Sequence, residues 1–140
     1  MPQPHLPLGI PLMDEDHAAL EALFASVATT LDADLAALAQ TIVAEVTAHF
    51  TREEQLMEKA QVPILNCHRA QHAALLSEAA ELLHAATTPA ALRLALGFHV
   101  PQLVEGHVAS VDRVSSEFLR GKMAPMSFDN LRLPDPAPLA

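Results

Sequence analysis

Two pairs of polar residues constrain what this chain can fold into: His49 with Glu53 and His68 with His72, each four residues apart. Residues at i and i+4 lie only about 40° apart around an α-helix, so each pair aims its side chains at one point. Two more histidines frame them. His17 opens the first apolar helical repeat, and His107 sits late in the last, followed five residues on by Asp112. That last spacing is the exception. An i, i+5 pair differs by about 140°, so both residues face one interior only if the helix is locally loosened or Asp112 reaches sideways.

The apolar pattern around these residues has a helical period. Leu20, Leu23, Phe24, Val27 and Leu31 trace a first helix from Asp14. Its acidic start, Asp14 to Asp16, suits the positive end of a helix dipole, and Asp32 to Asp34 close it and cap the next. A second helix is expected over 34–60, with Leu35, Leu38, Ile42, Val46, His49, Phe50 and Met57 on one face. Pro63 sits in the break, and a third helix follows over 65–86. Thr88 as cap and Pro89 in the first turn start a fourth, which runs to about Arg120 and stops at Gly121. Pro101 lies inside it and is expected to kink or interrupt it. Strand signals are weak. The expected fold class is all-α: an up-down-up-down four-helix bundle over 13–120, an N-terminal arm over 1–12 and an irregular Pro-rich C-terminal tail over 121–140.

Composition removes several function classes. A formal charge of −9 repels phosphate backbones, so no nucleic-acid partner is expected. A single cysteine leaves no internal disulfide and no Cys-rich zinc or iron–sulfur site. Only 4 glycines are present, and phosphate-cradling Gly motifs do not appear. Charges and histidines interrupt every apolar stretch before the roughly 18–20 residues a membrane span needs. No basic start and apolar run marks the first residues as a secretory signal. The expectation is a cytoplasmic protein with no membrane partner, and lone Cys67 fits a reducing compartment.

An up-down order also sets the depth of the polar residues. His49 and Glu53 lie toward the end of helix two, beside His68 and His72 at the start of helix three. His107 and Asp112 lie toward the end of helix four, level with His17. All seven groups then meet at one end of the core. Left alone, they would bury two charges and five polar rings at high cost. Metal removes that cost. Seven ligands are too many for one first-row ion but suit two, and bridging carboxylates explain why two suffice. Nitrogen and oxygen ligands without thiolate favour iron or manganese, and zinc is compatible by ligand type.

The series His17, then His49-Phe50-Thr51-Arg52-Glu53-Glu54 with Met57, then His68-x3-His72, then His107-x4-Asp112 resembles the hemerythrin family, in particular its bacterial single-domain members. The resemblance covers roughly residues 8–120. It implies a di-iron centre: His68, His72 and His107 on one iron, His17 and His49 on the other, Glu53 and Asp112 bridging, and an oxo or hydroxo group as third bridge. It implies an open coordination position on the His17/His49 iron, where dioxygen binds reversibly. Leu20, Phe50, Leu103, Val104 and Val108 lie within a turn of ligand positions and are the expected apolar wall of that pocket. Family members commonly carry Trp where this chain has Leu103. With Gly106 and Pro101 nearby, this departure from the family pattern implies a looser pocket, which favours faster autoxidation or admission of larger molecules such as peroxide. The alternative function is a di-iron enzyme acting on peroxide or nitric oxide; a third is an iron-handling or interaction protein docking through its tail.

The remaining residues of interest have plainer readings. His5 is expected to be solvated in the arm, His84 to lie on the surface, and His99 to serve in packing. Glu54 is read as a surface residue, Met57 as core filler and Cys67 as a small thiol. Glu81-x-x-His84 is half of a ferritin-type motif, present once and on the wrong face.

Overall fold

Four helical rods build the computed structural model, which describes residues 7–121. His5 and the tail beyond Gly121 lie outside the described residues. Helix α1 spans Pro11–Ser26, α2 Leu35–Lys59 and α3 Leu65–Ala85. The fourth rod, 89–119, is one continuous stack of five segments: α4 (Pro89–Leu94), a π-helical segment (Ala95–His99), α5 (Val100–His107), a second π-helical segment (Val108–Asp112) and α6 (Arg113–Leu119). No strand occurs among the described residues. No helix among them is long and apolar enough to cross a membrane.

Local chemistry sets the ends of the rods. α1 starts at Pro11, inside the stretch expected as an arm. Proline suits the first helical turn, where its missing N–H is not needed. The Asp14 carboxylate accepts the Leu8 and Gly9 N–H groups at 2.8 and 3.1 Å, folding the preceding residues onto the helix start. The other end falls short of expectation. The Ser26 hydroxyl donates to the Leu23 carbonyl, and the Thr30 hydroxyl to that of Ser26. Side chains thus compete with the backbone ladder, and the helix gives way to a short 3₁₀ turn over Val27–Thr29. Leu31, which its spacing assigns to the first helix, lies beyond the helix and is 71% exposed. α2 ends in a turn at Gln61, whose φ of 56° lets the Val62 N–H reach back to the Met57 carbonyl. Thr88 caps α4, accepting the Ala91 N–H, with Pro89 following it.

Each rod buries one stripe. Met13, His17, Leu20 and Phe24 of α1 recur every three or four residues, as do His68, His72, Leu75 and Ala79 of α3. α1 packs on α2, α2 on α3, and α3 on the fourth rod, which returns to α1. The stripes change character along their length. Phe24, Leu35, Ile42, Ala79, Leu96 and Val100 build an apolar core. The other end of the interior is occupied by imidazoles and carboxylates.

Candidate metal centre

His17 comes from α1, His49 and Glu53 from α2, His68 and His72 from α3, and His107 and Asp112 from the fourth rod. All seven are buried, His107 the least so at 7% exposure. Their inner atoms fall into two overlapping groups. Glu53, His68, His72, His107 and Asp112 form one; His17, His49, Glu53 and Asp112 form the other. Within each, the donor atoms lie within 4.8 Å of one another. The two carboxylates belong to both groups. Three imidazoles stand on one side and two on the other.

The fourth rod brings His107 and Asp112 together by changing its winding. Val108–Asp112 is π-helical, with hydrogen bonds running from i to i+5, so the wider turn brings the awkward i, i+5 pair onto one face. His107 Nε2 lies 2.9 Å from Asp112 Oδ1. The Ser110 hydroxyl donates to the Gly106 carbonyl at 2.7 Å, a back-bond that loosens the ladder at this point.

Inside the cluster every carboxylate oxygen meets imidazole nitrogen. Glu53 Oε1 lies 2.8 Å from His68 Nε2 and 3.0 Å from His72 Nε2. Glu53 Oε2 lies 3.2 Å from His49 Nε2. Asp112 Oδ1 lies 3.0 Å from His68 Nε2, and its Oδ2 3.1 Å from His17 Nε2. The outer nitrogens of three rings are held from behind. His49 Nδ1 donates to Asp16 at 3.0 Å, and His72 Nδ1 to Glu54 at 2.6 Å. His68 Nδ1 pairs with the buried Ser115 hydroxyl at 2.6 Å. Arg52 clamps Asp16 through two bonds of 2.9 Å, and Arg69 lies 3.4 Å from Glu54. Such outer partners fix ring orientation and turn the Nε2 lone pair inward. Glu54 is therefore not a plain surface residue. Although adjacent to Glu53 and turned to another face of α2, it reaches across to the ring on α3. By sequence, Asp16 belongs only to the acidic start of the first helix, and nothing singles out Ser115.

The electrostatics follow from crowding. Burial pushes the Glu53 carboxyl up, but the imidazoles of His49, His68 and His72 outweigh it and hold it at about 2. Burial works equally on Asp112, and His107, His17 and His68 bring it well below the ordinary carboxylate range. The mirror image appears at His68, where burial favours the neutral ring but Asp112 and Glu53 raise it to about 9. Two buried anions thus draw cations to the inner nitrogens. A metal ion competes with protons for the same lone pairs.

The donors fit a metal pair. His49 Nε2, Glu53 Oε2, His107 Nε2 and Asp112 Oδ1 are fully buried and face their neighbours without hydrogen-bonding geometry. Buried polar atoms of that kind are costly unless something else satisfies them. All seven donors are nitrogen or oxygen. Cys67, one residue from His68, is exposed and contributes no sulfur.

Of the residues expected to wall the centre, Leu20, Phe50, Val104 and Val108 are buried. Phe50 stacks flat on His72, with ring centroids 3.8 Å apart and planes 6° from parallel. Leu103 is half-buried and packs against the core. His84 is exposed; half-buried His99 meets Phe98 edge-on.

The model of the hemerythrin HHE cation binding domain matches residues 8–114. The chain belongs to the hemerythrin family. Among curated proteins it is similar to a Bacteriohemerythrin of Ralstonia nicotianae. The two are 33% identical over 115 residues, which cover 81% of this chain and 84% of the relative. No solved structure matches it significantly. As a hemerythrin-family chain, it carries all seven polar residues of its buried cluster within the span that the family model covers.

Proposed function

We propose that this chain is a non-haem di-iron protein that binds dioxygen reversibly, for storage, delivery or sensing. The observation that carries this reading is the unequal division of buried imidazoles, three against two, about two shared carboxylates. His68, His72 and His107 would hold one iron, His17 and His49 the other, and Glu53 and Asp112 would be shared by both. When bound, such a pair supplies an open coordination position and two electrons to a small ligand.

The protein's own part is orientation and exclusion. Asp16, Glu54 and Ser115 hold three rings so that their Nε2 atoms face inward. Buried Leu20, Phe50, Val104 and Val108 keep water from the ligand position, half-buried Leu103 narrows the way to it, and none of the five carries an acidic proton. A pocket without a proton donor favours holding a ligand over reducing it. The reading takes the rods in up-down-up-down order, supported by packing between rods consecutive in the chain. The relative's name, Bacteriohemerythrin, supports it further.

The test is spectroscopic. Protein loaded with iron and reduced under anaerobic conditions is exposed to air, and its visible absorption is followed. The expected result is two irons per chain and a band that grows with air and disappears on degassing. A spectrum that converts at once and ignores degassing, with turnover of added hydrogen peroxide or nitric oxide, makes the chain an enzyme instead. A chain that binds no iron overturns both.

A further inference from the structure

A cleft of about 220 Å³ separates α3 from the fourth rod, lined by Gln71, Ala74, Glu78, Leu103, Gly106 and His107 among others. It passes from exposed residues, Gln71 and Glu78, to a buried member of the metal cluster, His107. His107 is 7% exposed, whereas the other six are at 0–2%. Two other cavities, of about 640 and 40 Å³, touch none of the seven. We propose that this cleft is the port through which a hydrated divalent cation enters and leaves the centre. The proposal rests on the centre being a metal site.

Size, charge and an unexplained glycine support it. Six waters of about 30 Å³ each occupy about 180 Å³, so a hexahydrated ion fits the space. Glu78 supplies a carboxylate, Gln71 an amide and Ser110 a hydroxyl, and no Lys or Arg among the described residues lines the cleft. A neutral gas needs no such lining, whereas an ion shedding water needs oxygen donors on its way to the first imidazole. Gly106 has no conformational reason to be glycine. Its φ is ordinary, and a Cβ there meets nothing within 4 Å. Glycine inside a helix is less stable than alanine. What it preserves here is open space beside His107.

The test is the rate of metal uptake by the stripped chain. Fe(II) is added anaerobically, and free Fe(II) is followed with a chromogenic chelator; the reverse rate comes from extraction by excess chelator. Gly106→Leu fills the cleft and is expected to slow both rates while leaving final occupancy unchanged. Glu78→Gln is expected to slow uptake about three-fold or more at low ionic strength, an effect that vanishes near 1 M salt. Glu81→Gln, on the same helix but outside the cleft, makes the same change of charge and should match the parent. Circular dichroism checks that each variant folds, and Glu78→Gln alone decides the matter if Gly106→Leu does not. Parent rates in both cleft variants, with full occupancy, overturn the port and leave the centre standing. A parent chain that takes up no metal overturns the centre, and the port with it.

Discussion

The fourth rod contains two π-helical segments, and their causes differ. Ala95–His99 lies just before Pro101, which has no N–H to give the Gly97 carbonyl and whose ring crowds it. Widening the turn accommodates the proline. Gly97 also faces the 3₁₀ turn after α1 closely, since a Cβ there would stand 3.4 Å from Val27. Val108–Asp112 contains no proline. Its widened turn swings Asp112 onto the face of His107, where five imidazoles await it. The first distortion answers a local covalent fact; the second serves a tertiary arrangement. One helix can carry the same defect for two reasons, and only the second bears on chemistry.

Substitutions at the two segments should therefore behave differently. The largest effect is expected from Asp112→Ala. It removes one of two carboxylates common to both donor groups, so metal analysis should find fewer than two ions per chain. The loss of affinity should exceed the about 10–100-fold typical of removing an outer partner. Full occupancy in this variant would deny the second segment its purpose.

The next contrast lies in pH, read on the chain stripped of metal. Glu53 is held at about 2 against an ordinary 4.5, so its contribution to stability is complete above 4.5 and is lost as pH falls toward 2. His68 is raised to about 9 from 6.5, so its contribution is complete below 6.5 and is lost as pH rises through 9. Denaturant midpoints should peak between these limits, at about pH 4.5–6.5. Metal loading should cancel the alkaline loss, because a metal requires deprotonated rings. A flat profile in the stripped chain would separate the cluster from stability.

The smallest effect is expected from Pro101→Ala. With the N–H restored, the first segment can close into a regular turn, and stability should change by no more than about 1 kcal/mol. Metal occupancy should not change. A drop in occupancy would couple the two segments and dissolve the distinction between them.

Much of this arrangement was legible in the sequence because helices translate spacing directly into direction. His49 with Glu53, and His68 with His72, announce their common face four residues apart. The five-residue step from His107 to Asp112 announces that something must give, though not that the helix would widen rather than the aspartate reach. Outer partners are harder to read. An imidazole that aims Nε2 inward needs an acceptor behind it, but sequence alone does not say which helix supplies one. Asp16 lies 33 residues from the ring it holds, Ser115 47 and Glu54 18. Those distances close only in the folded bundle. Leu31 was misplaced for the opposite reason. Its spacing fits the stripe, but hydroxyls at Ser26 and Thr30 end the helix before it.

Cys67 gives the molecule an experimental handle. It is the chain's single thiol, it is exposed, and the next residue is a fully buried imidazole of the cluster. A fluorophore or spin label attached there would sit outside the bundle wall yet within reach of any paramagnetic ion loaded into the cluster. Quenching or relaxation of that reporter would follow filling and emptying in real time, without altering any side chain that does the holding.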